Sequence, residues 1–283
     1  MSLVTTEEML HNADMNGYAI GAFNVENMEM VMAVIKACEE MNSPAILQTT
    51  PSTVKYAGVD LYFANVAAAA KNASVPIALH LDHGNSFELA KAALEAGYTS
   101  IMIDGSKLPF EENIELAKKV VDLCKPHRIP VEAELGTVGG KEDNVKCDTP
   151  EYTDPGDAAT FVRETGISSL AVAIGTAHGI YKGTPKLNVT LLSEIRKVVT
   201  IPLVLHGASG VPDDTVKDCI RRGISKVNFA TELRIAYSNG VKDYLKENPD
   251  AFDPKKYGTV GMQYVTELVK KKILVCGSDG KAN

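Results

Sequence analysis

Eight short, nearly continuous apolar runs recur along the chain, at 19–24, 45–50, 77–83, 100–106, 130–136, 169–175, 202–207 and 226–231. Each reads as a buried β-strand, and their starts lie roughly 30 residues apart, the length of one βα unit. Between them the apolar positions switch to i, i+3, i+4 and i+7, the period of an amphipathic helix. Val31, Val34, Ile35 and Cys38 form one such stripe, and Ile114, Ala117, Val120, Val121 and Cys124 another. Helix starts carry suitable residues: Ser86 precedes Phe87-Glu88, Asp154 precedes Pro155, and Pro212-Asp213-Asp214 opens the stretch after the seventh run. Eight alternating units close most simply into a parallel (β/α)8 barrel of the α/β class. Two further helical stretches, at 6–15 and 257–273, are expected to pack outside the ring. The Gly- and charge-rich segment 137–154 reads as a mobile, irregular active-site loop. No linker-like composition interrupts the pattern, so residues 1–283 are expected to form a single catalytic domain.

Composition narrows the function classes. A chain of 283 residues that is 45% hydrophobic and 23% charged can build a sizeable core. No apolar stretch approaches the roughly 20 residues of a membrane span. The acidic start, Met1-Ser2-Leu3-Val4-Thr5-Thr6-Glu7-Glu8, lacks the basic and apolar parts of a signal peptide. A net charge of -7 argues against nucleic acid as a partner, because neutralising phosphates needs a basic face. The five cysteines (Cys38, Cys124, Cys147, Cys219 and Cys276) are scattered, so neither a disulfide framework nor a thiolate metal site is indicated. Most read as small core residues, with Cys147 as the exposed thiol. The expected location is cytoplasmic.

Chemistry concentrates where the runs end. In a (β/α)8 barrel, functional residues sit at the ends of strands and in the βα loops. Asp82 and His83 end the third run, Asp104 ends the fourth strand, and Glu134 lies near the end of the fifth. His178 follows the sixth, His206 ends the seventh and Asn228 lies in the eighth. Three neutral imidazoles with an open position are the ligand set of a catalytic Zn2+. Gly207-Ala208-Ser209-Gly210 and Asn228-Phe229-Ala230-Thr231 fill the two places where these barrels commonly bind phosphate, through backbone N–H groups and hydroxyls. The remaining histidines read otherwise: His11 and His127 as solvated, and His80 as a hydrogen-bonding residue inside the barrel.

At these motifs the chain resembles the class II (metal-dependent) ketose-bisphosphate aldolases that act on fructose and tagatose 1,6-bisphosphate. The likeness runs through Ala22-Phe23-Asn24, His80-Leu81-Asp82-His83-Gly84, Met102-Ile103-Asp104-Gly105-Ser106, Glu132-Ala133-Glu134-Leu135-Gly136, Gly139-Gly140-Lys141-Glu142-Asp143, Gly175-Thr176-Ala177-His178-Gly179 and both phosphate turns. The resemblance implies a catalytic zinc on His83, His178 and His206, and a second divalent metal at Asp104 and Glu134. It makes Asp82 the acid/base at the C4 hydroxyl and Glu142 the residue that shuttles the enediolate proton. Asn24, Gly179, Gly207, Ala208, Ser209, Asn228, Phe229, Ala230 and Thr231 become the substrate site, with Gly179 also near a monovalent cation. Several members carry glutamate where this chain has Lys141.

The implied reaction is reversible cleavage of a ketose 1,6-bisphosphate to dihydroxyacetone phosphate and glyceraldehyde 3-phosphate. The resemblance further implies a homodimer or homotetramer, with an accessory subunit in some tagatose-type members. Motifs of the fructose type (His83 to Glu88, Glu134 to Gly140) and of the tagatose type (Ala173 to His178, Gly207 to Ser209, Asn228 to Leu233) both occur, so the C4 epimer stays open. So does a related phosphorylated ketose such as 5-dehydro-2-deoxygluconate 6-phosphate. A Schiff-base aldolase would need Lys107 or Lys182, both in polar loops without a group to lower their pKa. A metal-dependent hydrolase on this barrel would place an HxH pair on the first strand, where Phe23-Asn24-Val25 stands. A non-catalytic barrel partner would have no use for Asp82, Glu142 and three histidines together.

Overall fold

The computed structural model describes residues 3–142, 145–147, 151–181 and 183–282, with the backbone alone at 141, 142 and 145–147. The eight expected strands are β1 (Ile20–Asn24), β2 (Ala45–Thr49), β3 (Ile77–Gly84), β4 (Ser100–Ile103), β5 (Val131–Leu135), β8 (Ser169–Val172), β10 (Leu203–Leu205) and β11 (Ile224–Phe229). They pair in parallel around a closed barrel in the order β1-β11-β10-β8-β5-β4-β3-β2. Continuous apolar runs suit this arrangement, because one face fills the barrel and the other packs on helices.

The helices ring the barrel as α2 (Met28–Glu40), α3 (Pro51–Ala57), α4 (Val59–Asn72), α5 (Phe87–Ala96), α6 (Phe110–Cys124), α7 (Pro155–Thr165), α8 (Val189–Val198), α9 (Asp213–Arg221), α10 (Thr231–Glu247) and α11 (Pro254–Cys276). The sequence-level starts hold. Ser86 Oγ accepts from Leu89 N, and the Asp154 carboxylate from the N–H groups of Gly156 and Asp157. Cys38, Cys124, Cys219 and Cys276 are buried free thiols, while the side chain of Cys147 lies outside the described residues. No helix among the described residues is long and apolar enough to cross a membrane.

Two expectations need correction. The helix α1 (Thr6–Asn16) closes the N-terminal mouth of the barrel instead of packing outside the ring. Its Met9, Leu10 and Ala13 cluster with Ile20, Ala22, Ile46 and Ala78, which alternation along β1, β2 and β3 turns to the interior. Without that plug the lower interior would be open to water. The segment 137–154 is also not wholly irregular. Strands β6 (Gly139–Glu142) and β7 (Val145–Cys147) form an antiparallel ribbon, and β6 pairs in parallel with β9 (Ala177–His178). The hairpin is thus tied to the segment bearing His178.

Candidate active site

Side chains alternate along a strand, so an Asp82 turned into the barrel should leave His83 outside. Pairing between β3 and β4 slips between Leu81 and Gly84, and His83 takes φ +48°, in the sparsely populated left-handed region. This irregularity brings both residues into the mouth. Gly84 permits it, since a Cβ there would collide with the Met102 carbonyl.

The three histidines converge. His83 Nε2 lies 2.8 Å from His206 Nδ1, and the His178 ring is centred 5.0 Å from that of His83 and 6.0 Å from that of His206. One nitrogen from each lies within 4.8 Å of the other two. The outward nitrogens face carboxylates: His83 Nδ1 is 2.8 Å from Asp104 Oδ2, and His206 Nε2 is 2.9 Å from Glu132 Oε1. Protons on those outer nitrogens leave lone pairs on the two that face each other, which is the donor set of a divalent transition metal. Burial and the neighbouring His83 both depress the His206 pKa, so its ring is neutral. Burial opposes ionisation of Asp104, but the hydrogen bond from His83, with the bonds from Ser106, holds that carboxyl well below its usual range. His83, Asp104 and Glu134 form a second group whose ligand atoms share a 4.8 Å span.

Asp82 is buried and held by three amides. Its Oδ2 accepts from Asn24 Nδ2 at 3.0 Å and Gln48 Nε2 at 3.1 Å, and its Oδ1 from Asn228 Nδ2 at 3.1 Å. The opposite ends of two of these amides, Gln48 Oε1 and Asn228 Oδ1, are buried acceptors that meet no donor among the described residues. Such atoms call for a donor from a ligand, as a polyhydroxylated molecule supplies.

Beside the histidines lies a polar pocket bounded by the two predicted turns and by Asn24, His178, Gly179 and Arg234. Gly207 has φ +64°, and a Cβ there would stand 2.7 Å from the Ala177 carbonyl, so the β10 turn presses directly on the His178 segment. Ser209 Oγ accepts from Ala230 N at 3.2 Å, at the start of α10. Ala208 and Phe229 direct their side chains into the hydrophobic core and are not among the residues that line the pocket.

The described residues therefore bring together His83, His178, His206, Asp82, Asp104, Glu134, Asn24, Asn228 and both turns. Glu142 ends β6, and its side chain lies outside the described residues, as does Lys182. Lys107 is exposed, and so are His11 and His127. His80 is buried, with Nδ1 2.8 Å from Ser100 Oγ.

Sequence reasoning missed several residues. Gln48, Glu132 and Lys226 lie within apolar runs, where only the mismatch of a polar residue marked them. Tyr181 accepts from Ala177 N at 2.7 Å and donates to the Gly207 carbonyl at 2.8 Å, bridging two loops. Arg234 donates from Nε to Glu26 Oε1 at 2.6 Å and brings positive charge to the pocket.

The sequence matches the family described as class II fructose-bisphosphate aldolase over residues 4–281. Among solved structures, the YdjI aldolase from Escherichia coli K12 superposes with a TM-score of 0.89 and 40% identity, covering 99% of this chain and 100% of that one. A provisionally assigned fructose-1,6-biphosphate aldolase from Coccidioides immitis gives 0.89 and 34%, covering 97% and 96%. The fructose-bisphosphate aldolase of Campylobacter jejuni shares the fold at 0.84 with 24% identity, over 100% and 97%. With this barrel and this match along almost its whole length, the chain belongs to the class II fructose-bisphosphate aldolase family and is an aldolase, a carbon–carbon lyase.

Proposed function

We propose that the protein reversibly cleaves a ketose 1,6-bisphosphate, the fructose or tagatose epimer, to dihydroxyacetone phosphate and glyceraldehyde 3-phosphate, using zinc on His83, His178 and His206. The observation that carries this reading is the convergence of three imidazole nitrogens beside a buried carboxylate and a phosphate-type pocket. The donor set fits zinc, since the His83 and His206 nitrogens that face each other are those left without a proton. When bound, zinc acts as a Lewis acid on the ketose carbonyl oxygen and stabilises the negative charge that develops there.

The chain's own groups do the rest. The backbone of 207–210 and 228–231, with the Ser209 and Thr231 hydroxyls, receives one phosphate at the start of α10. Arg234 adds charge on that side, held in place by Glu26. Gln48 Oε1 and Asn228 Oδ1, which meet no donor among the described residues, accept from substrate hydroxyls. Asp82 takes the C4 hydroxyl proton as the C3–C4 bond breaks, with Asn24, Gln48 and Asn228 fixing the carboxylate in line for transfer. Glu142 returns a proton to the carbon, the role that the family resemblance implies for it. Asp104 orients His83 in the arrangement described, which leaves a second divalent metal there as a separate binding event.

The test combines metal analysis with a coupled cleavage assay on fructose and tagatose 1,6-bisphosphates and on 5-dehydro-2-deoxygluconate 6-phosphate. About one zinc per chain, loss of activity in chelator and its return with zinc are expected. Asp82→Ala should keep the metal and lose about 10²–10⁴-fold in turnover. Cleavage that survives complete metal removal, or wild-type turnover in Asp82→Ala, refutes the reading. Turnover of the third ketose alone would retain the metal chemistry and move the substrate.

A further inference from the structure

Two residues below the mouth on three strands lies a buried polar cluster that the chemistry above leaves unused. His80 stands two positions before Asp82, Glu132 two before Glu134 and Lys226 two before Asn228, so all three point inward. Lys226 and His80 are fully buried and Glu132 is 2% exposed. Lys226 Nζ donates to Glu132 Oε2 at 2.7 Å and lies 3.2 Å from His80 Nε2. His80 Nδ1 meets Ser100 Oγ, which accepts in turn from Thr6 Oγ1 at 3.0 Å, at the head of α1.

Stability does not account for this cluster. Withdrawing a carboxylate and an ammonium from water costs several kcal/mol per ion, and apolar residues of similar volume in place of a buried pair are often neutral or stabilising. Elsewhere the same interior is filled by Met102, Ala171 and Val204. A Lys–Glu pair among such neighbours points to a role outside packing, and the geometry names it. The carboxylate oxygen not held by Lys226 lies 2.9 Å from His206 Nε2.

We infer that Glu132, braced by Lys226, is the positioning residue that holds His206 with its proton on Nε2 and its lone pair on Nδ1, aimed at the metal. A neutral imidazole offers one lone pair, and which nitrogen carries it depends on the hydrogen bond made by the other. Glu132 is an acceptor only, so Nε2 must donate. The lone pair then falls on Nδ1, the atom 2.8 Å from His83 Nε2. Lys226 keeps Glu132 from rotating or taking up a proton, and His80, anchored through Ser100 to α1, holds Lys226 from below. A carboxylate behind a ligating histidine raises its basicity and fixes its ring, and its loss typically costs 10–100-fold in metal affinity.

This inference rests on the zinc-site reading, and the experiment separates the two. Zinc affinity is measured by chelator competition on the full-length protein, together with the visible spectrum of the cobalt-substituted form. Glu132→Gln should bind zinc about 10–100-fold more weakly and shift the cobalt bands. If the wild type holds no zinc, the site reading itself falls. If the wild type holds zinc while Glu132→Gln matches it in affinity and spectrum, this inference alone is overturned, and a variant that only melts earlier counts against it in the same way. Should the single variant not fold, E132Q/K226M removes both charges and gives the same readouts. Independently of any variant, nitrogen NMR of the wild-type zinc protein should find His206 protonated at Nε2 and metal-bound at Nδ1. The opposite tautomer overturns the inference.

Discussion

Lys272 gives the sharpest test of how the phosphate turn is held. It reaches from α11 to Glu232 Oε2 at 2.8 Å, lies 3.5 Å from Asp213 Oδ1, and sits 5.2 Å above the centre of the Phe229 ring. The other Glu232 oxygen accepts from Gly210 N at 2.5 Å, so the carboxylate pins the turn that would receive phosphate. Left alone, that carboxylate would oppose a bound phosphate; Lys272 neutralises it. The Lys272 side chain is 10% exposed and that of Glu232 22%, so the pair is mostly but not fully desolvated. A hydrogen bond to a charged group contributes about 1.5–3 kcal/mol when buried, and partial exposure reduces this to about 1–2 kcal/mol. Lys272→Met should therefore lower Tm by about 2–6 °C in a chain of this length. It should also raise KM, and the inhibition constant of inorganic phosphate, by about 5–30-fold, with kcat much less affected. Glu232→Gln keeps an acceptor for Gly210 and removes the opposing charge, so in the double variant much of the loss should be recovered. The resulting coupling energy should fall within about 0.5–3 kcal/mol. Strict additivity of the two substitutions, or an unchanged phosphate constant in Lys272→Met, refutes the reasoning.

Two further outcomes follow from the site. His80 and His206 both have pKa values below the usual range, through burial first and then the charge of Lys226 for His80 and the neighbouring His83 ring for His206. Each is neutral when folded and gains a proton on unfolding below about pH 6.5, so the metal-free protein should lose up to about 1.4 kcal/mol per pH unit for each as pH falls from 6.5 to 5. The depressed Glu132 and Asp104 add loss of the same sign only below about pH 4. Denaturation midpoints measured across that range should show the slope, His80→Gln should flatten it, and a pH-independent midpoint would count against the buried neutral histidines. Gly207→Ala forces a side chain into φ +64° and against the Ala177 carbonyl, which should cost at least about 1–2 kcal/mol and weaken zinc binding through the displaced His178 segment. Wild-type stability and zinc affinity in that variant would show that the turn does not press on β9 as described.

Much of the barrel is legible before any coordinates, because a strand buried on both faces leaves a continuous apolar run and a covering helix leaves a 3.6-residue stripe. Periodicity reports that a face is buried, however, and not against what. That is why α1 reads as an outer helix although Met9, Leu10 and Ala13 close the barrel end. The ribbon of β6 and β7 is invisible for a related reason: Gly139-Gly140-Lys141-Glu142 has no strand pattern of its own and is ordered by pairing with Ala177 and His178 far along the chain. Of the site, the polar residues at strand ends are legible because nothing apolar competes with them there.

The missed residues sit inside the runs, and they share one physical signature. Gln48, Glu132 and Lys226 are polar side chains at inward positions of strands whose neighbours are apolar, so each must find partners within the barrel or unfold it. Gln48 finds Asn24 and Asp82, and Glu132 finds Lys226 and His206. In both cases the partner chain ends at a residue of the mouth. A buried polar group that serves only packing would be closed on itself. These two open upward, toward the carboxylate and the imidazole on which the proposed reaction depends, so the polar interior of this barrel is better understood as the underside of its active site than as part of its core.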